Sequence, residues 1–191
     1  MTRTASDARN RLLETASRLF YGEGLHSVGV DRILAEAKVT RATMYRHFAG
    51  KEDLVLEYLA VADRATRENV EAGVAAAKTE ADAVRAVAAV IAAHIQAAGF
   101  RGCAFLNAVA EYADPLHPVH QAVQAHRQWF LDTVTDLLAR VGDTPADHDG
   151  RHFVMLRDGA YAAGCLADPG PIAETFQAAV EGIVRARTPQ R

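Results

Sequence analysis

Residues 38–51, KVTRATMYRHFAGK, hold two lysines, two arginines and one histidine and not one carboxylate. These are the groups that grip phosphate oxygens, and arginine near a helix start also reaches base edges. Thr40 has a hydroxyl able to cap a helix by accepting a backbone N–H bond. Gly50, after Ala49, can end one in the left-handed conformation. The spacing therefore predicts a helix of about two and a half turns between them. Met44 and Phe48 stand four apart and share the face that can be buried. Arg41, Thr43, Tyr45, Arg46 and His47 are left to point outward. Taken alone, a cationic run on a helix is more often a solvated face than a nucleic-acid surface.

The preceding segments tip that balance. Residues 7–21 read as a helix, with Leu12, Leu13, Ala16, Leu19 and Phe20 in helical spacing and Gly22 and Gly24 stopping it. Residues 30–37 read as a second, striped by Val30, Ile33, Leu34 and Ala37. Only Lys38 and Val39 separate it from Thr40. Helix, tight turn and short cationic helix make a helix-turn-helix, whose second member enters the major groove of DNA.

At this point the chain resembles the TetR family of bacterial transcriptional regulators. The resemblance rests on residues 24–54, GLHSVGVDRILAEAKVTRATMYRHFAGKEDL. Its signature parts are Ile33, the run Ala37-Lys38-Val39-Thr40, and Thr43-Met44-Tyr45-Arg46-His47-Phe48 followed by Lys51. It implies that Arg41, Ala42 and Tyr45 face bases, and that Thr43, Tyr45, His47 and Lys51 hold phosphates. Three positions depart from the family pattern. Gly29 replaces a capping Ser or Thr. Lys38 replaces a turn glycine, at a steric cost if the site is left-handed, while adding a cation near the DNA. Leu34 is bulkier than the usual alanine.

The remainder reads as helices over 51–78, 79–98, 103–112, 119–141, 146–166 and 172–187, divided by glycine and proline turns. No segment reads as a strand, so the fold class is all-α, about nine helices. The expected division is a DNA-binding head over 1–50 and a ligand-binding and dimerisation body over 51–191. In the resemblance the last two helices pair with a second copy in a four-helix bundle. Gly159, Ala160, Ala162, Ala163 and Gly164 would permit close approach, and Ile172, Phe176, Val180 and Ile183 stripe the last helix. Charge at Val180 is accordingly expected to yield folded monomers.

Phe105, Asn107, Tyr112, Trp129, Phe130 and Tyr161, with Leu106, Val109 and Met155, offer a mainly apolar lining for a small effector that is itself apolar or aromatic. His94, His117, His120, His126 and Cys103 invite a metal, but their spacing does not put three ligands on one helical face. Cys103 near a helix start has a setting that can activate a thiol. No nucleophile elbow, phosphate-cradling loop or zinc-protease motif occurs, so neither catalysis nor a cofactor is expected.

The net charge of −3 excludes a protein that coats nucleic acid through bulk charge. Residues 1–59 carry +1 and the rest −4, so DNA binding must come from a local patch. Two cysteines form no disulfide framework, and neither a leader nor a membrane span is apparent, which points to the cytoplasm. The reading is a ligand-responsive regulator that binds a pseudo-palindromic double-stranded DNA operator as a homodimer, a repressor by the family's usual logic. Two other readings stay open: a helical metal or redox sensor or enzyme using the His and Cys residues, and an interaction protein with a vestigial helix-turn-helix.

Overall fold

The computed structural model describes residues 2–188. Along them run α1 (Thr2–Glu23), α2 (Val30–Ala37), α3 (Arg41–Tyr45), α4 (Lys51–Ala75), α5 (Glu80–Ile95), α6 (Ala104–Glu111), α7 (Pro118–Gly142), α8 (Asp147–Gly164) and α9 (Pro169–Arg187), with no strand among the described residues. The chain forms two compact units, residues 1–64 with 104–124, and 65–103 with 125–191. The fold is all-α, as the sequence predicts.

In the first unit α1 packs on α2 and α3. Leu12, Leu19, Phe20, Ile33, Met44, Phe48 and Leu54 are all buried, so the apolar back of the cationic stretch is core. Each such Leu or Phe contributes about 1.5–3 kcal/mol through burial. The Phe20 and Tyr58 rings meet at 6.0 Å. Arg9 reaches Glu57 at 2.7 Å and lies 5.2 Å from the centre of the Phe48 ring. The unit also includes α6 and the start of α7, because the Glu111 carboxylate accepts the backbone N–H groups of Leu25 (2.7 Å) and His26 (2.6 Å). A turn that would otherwise leave those donors to water is thereby tied to a residue 85 positions on.

In the second unit α5 and α8 both pack on α9. Val84, Val87, Ile91, Phe130, Val134, Leu137, Phe153, Phe176 and Val180 make its core. Two glycines set the helix spacing. A Cβ on Gly150 would sit 2.0 Å from Thr135 Oγ1, and one on Gly164 would sit 2.9 Å from Ile95 Cγ2. Gly164 thus admits the end of α5 of its own chain. Arg187 ends α9 by donating to the Leu138 carbonyl (2.8 Å), the Thr144 carbonyl (2.6 Å) and Asp149 (2.7 Å). Its hydrogen bond to Asp149 holds that carboxyl below its ordinary pKa.

Four expectations change here. The cationic helix is only five residues long. After Tyr45 the chain tightens: Arg46 N–H bonds Thr43 O at 3.3 Å and His47 N–H bonds Met44 O at 2.8 Å, both spanning three residues. Gly50 is not left-handed, whereas Lys38 is. Pro169 and Pro171 lie within the first turn of α9, where a missing N–H is harmless, instead of in a preceding loop. Phe176, Val180 and Ile183 are covered within the chain itself, so the stripe on α9 is monomer core.

Candidate nucleic-acid interface

Lys38 ends α2 with φ 53° and ψ 48°, the left-handed cap that usually falls to glycine. Its N–H bonds Ala35 O at 3.3 Å, and Val39 N–H bonds Leu34 O at 3.1 Å, so the reversal closes the exposed carbonyls of α2. Gly29 opens α2 with no side-chain cap. Two residues after the reversal, Thr40 caps α3: its Oγ1 accepts Thr43 N–H at 3.2 Å and its hydroxyl donates to Thr43 Oγ1 at 2.9 Å. Arg46 Nη2 donates to the same Thr43 oxygen at 3.0 Å. The turn and the cap between them aim five residues of α3.

The front they present is Arg41, Ala42, Tyr45 and Arg46, all exposed, with Met44 fully buried behind. Lys38 and Thr40 are exposed beside it, while Thr43, His47 and Lys51 are half-buried. His47 is therefore not simply outward, since its Nε2 is buried without a hydrogen-bond partner. Arg41 pairs with Asp31 near the start of α2. A hydrogen bond with Tyr45, then the Asp31 charge, keep the Arg41 guanidinium above its ordinary pKa. To reach a base, Arg41 exchanges that exposed carboxylate for the acceptors of a guanine edge.

Lys51, at the start of α4, donates to the His26 carbonyl at 3.3 Å. Burial lowers its pKa, against the opposing pull of Glu111. The Tyr112 ring lies 4.7 Å from His26 and 4.6 Å from His117, and His117 Nε2 is 3.4 Å from Glu52. Asp31, His26 and Glu111 join the site unannounced by the sequence, because only folding brings them to α3 and α4.

The effector candidates divide between the units. Phe105, Asn107 and Tyr112 belong to the first, where Phe105 is buried and Asn107 exposed. Trp129, Phe130 and Tyr161 belong to the second. Met155 is 72% exposed and lines no interior. In the second unit Phe100 lies 5.7 Å from Tyr161 and 5.4 Å from His94, whose Nδ1 is 3.2 Å from the Tyr161 hydroxyl. Burial, and then the Arg157 charge, lower the His94 pKa. Arg157, only 3% exposed, lies 4.6 Å from the Phe130 ring centre and 4.9 Å from that of Tyr161. Sequence reasoning missed this residue, although Tyr161 at four residues' spacing placed it on the same helical face. The other histidines are engaged separately: His117 Nδ1 accepts Val119 N–H at 3.2 Å and His120 Nδ1 lies 2.8 Å from the Tyr112 carbonyl oxygen. Among the described residues no group of three His, Cys, Asp or Glu side chains is placed to hold a metal.

A capped short helix with a cationic front, set by a tight turn against two supporting helices, defines a helix-turn-helix protein of the DNA-binding kind. Residues 12–58 match the family of bacterial regulatory proteins, tetR family. The structure is similar to that of SCO4454, a TetR-family transcriptional regulator from Streptomyces coelicolor, with 62% identity, TM-score 0.95, and 96% of this chain and 97% of that one covered. A TetR transcriptional regulator from Chloroflexus aurantiacus shares the fold at 22% identity and TM-score 0.85, over 97% and 98% of the two chains. The HTH-type transcriptional regulator YxaF of Bacillus subtilis is 40% identical over 52 residues, 27% of each chain, so this match spans about a quarter of that relative. The chain belongs to the TetR family of transcriptional regulators.

Proposed function

We propose that this DNA-binding regulator reads a pseudo-palindromic operator as a homodimer, with α3 of each protomer in the major groove. The observation that supports this most is the exposed set Arg41, Ala42, Tyr45 and Arg46, held by the left-handed Lys38 and the Thr40 cap. Arg41, Ala42 and Tyr45 read bases; Thr43, Tyr45, Arg46, His47 and Lys51 hold phosphates, with Lys38 adding charge nearby. One five-residue helix buries too little for specific affinity, whereas two heads a helical turn apart read both halves of a palindrome.

The second copy docks on the outer faces of α8 and α9. Met155 (72% exposed) and Leu166 (88% exposed) face out on and just beyond α8, and Gly159 and Gly182 have open space beside them. Residues 1–50 act as the reading head, and 51–191 carry dimerisation and effector binding. The effector is a small molecule with an aromatic or apolar body, held in the second unit near Phe130 and Tyr161. It favours a conformation of the dimer other than the one DNA selects, so repression is relieved by differential affinity. The protein works in the cytoplasm; among the described residues no helix is long and apolar enough to cross a membrane.

The test is selection from a random DNA pool with the purified chain, followed by salt titration of the enriched sequence. The reading requires an inverted repeat, a steep salt dependence and two protomers or a multiple bound. An interaction protein with a vestigial helix-turn-helix would enrich nothing.

A further inference from the structure

Arg157 is a buried cation that no carboxylate meets closely: besides a hydrogen bond with the Tyr161 side chain, its partners are a sulfur and a shared aspartate. Its Nη2 donates to the Cys103 sulfur at 3.5 Å and its Nη1 to Asp158 Oδ1 at 3.3 Å. Charge-assisted pairs are normally much shorter, near 2.7–2.9 Å. The Asp158 carboxylate is committed elsewhere, since its Oδ2 accepts from Arg127 Nη2 at 2.6 Å. One carboxylate thus serves two guanidiniums and leaves a net positive charge. Arg127 shows the same shortage, because its Nη1 is buried without a hydrogen-bond partner. Asp158 is the carboxylate that meets both arginines. Nearby, burial and then the Arg157 charge lower the His94 pKa.

Taking a guanidinium out of water is expensive unless an anion meets it with good geometry. Here a thiol, a weak acceptor, occupies the position against Nη2. The Phe130 and Tyr161 rings lie against the guanidinium, and Phe100 packs on Tyr161 and His94, surfaces suited to an apolar body. From this arrangement we infer that the effector of this regulator is an organic anion, an apolar or aromatic carboxylate whose oxygens displace the Cys103 thiol from Arg157 and satisfy Arg127. This rests on the effector reading above and narrows it from an apolar molecule to an anionic one. The binding is a non-covalent exchange of hydrogen bonds.

The experiment is calorimetric titration of the full-length protein, without DNA, against phenylacetate, cinnamate, 2-naphthoate and decanoate, each beside its primary amide. At least one carboxylate should bind saturably and its amide about tenfold or more weakly, the difference expected when one charge-assisted bond is lost. Arg157→Gln should reduce carboxylate binding about tenfold and leave amide binding little changed. Arg127→Gln should weaken the carboxylate by a smaller factor. If Arg157→Gln does not fold, Arg157→Lys, which keeps the charge but loses the planar fork, should show the loss. Failure of every carboxylate to bind, an amide as tight as its acid, or unchanged affinity in the folded Arg157 and Arg127 variants would overturn the inference. Because no DNA is present, a failed operator selection leaves this outcome independent.

Discussion

The His26 backbone N–H donates to Glu111 Oε2 at 2.6 Å, and His26 Nδ1 lies 3.3 Å from that same oxygen. The His26 carbonyl in turn accepts from Lys51. One residue of the α1–α2 turn is therefore held by the end of α6 and by the start of α4. Glu111→Ala strands two backbone donors and should lower stability by about 1–3 kcal/mol. Urea unfolding of the two proteins measures that loss, and an unchanged midpoint would mean water replaces the carboxylate fully.

Arg41 and Lys51 should fail in different ways. Arg41→Ala is expected to lose about 1–3 kcal/mol of specific binding and to relax the preference at one base pair per half-site. Lys51→Ala should weaken all sequences alike and reduce the salt slope by about 1 per protomer. Titrations against single-base variants of the operator separate them, and identical profiles would refute the division.

Lys38 occupies a left-handed conformation that L-residues adopt at a cost of roughly 1–2 kcal/mol. Lys38→Gly should therefore raise the thermal midpoint, and Lys38→Val should lower it. Operator affinity should move the other way for glycine at low salt, because a cation near the DNA is lost.

Two charge insertions distinguish the core of the second unit from its outer face. Met155→Glu should give folded monomers, since Met155 lies on the exposed side of α8. Val180→Glu should instead unfold the chain, because Val180 is 1% exposed and an unpaired buried carboxylate is not tolerated. Sedimentation with far-ultraviolet circular dichroism reads both, and a dimeric Met155→Glu would move the interface elsewhere.

Glu181 links α9 to α5. Hydrogen bonds from Arg85 (2.8 Å) and then Arg185 (2.9 Å) draw its pKa from 4.5 to about 2. A carboxylate with a depressed folded-state pKa stabilises fully above its unfolded value and ceases to as the pH falls through the folded one. The contribution should thus fade between pH 4.5 and about 2, modestly, since the group is solvated and screened by salt. Acid titration of Glu181→Gln should show a flatter stability profile across that window.

Much of the head was legible in the sequence because its instructions are local. The 30–37 helix was read to the residue, since Gly29 and Lys38 punctuate an apolar stripe. The end of α3 was not, because the tightening after Tyr45 depends on Phe48 and Met44 reaching one core. On α9 the stripe through Phe176 and Val180 announced burial but not the covering partner, which proved to be the same chain. Arg157 was overlooked for a similar reason: its meaning lies in Cys103, 54 residues away, and in an aspartate already spent on Arg127.

The central claim is that α3 reads operator bases in a dimer. Its most direct test is the binding of wild-type and Arg41→Ala protein to the selected inverted repeat and to a copy with one half-site scrambled, at a single salt concentration. The account predicts a large loss for the scrambled site with wild-type protein and a much smaller discrimination with Arg41→Ala. Equal binding to both DNAs by the wild-type chain would contradict it.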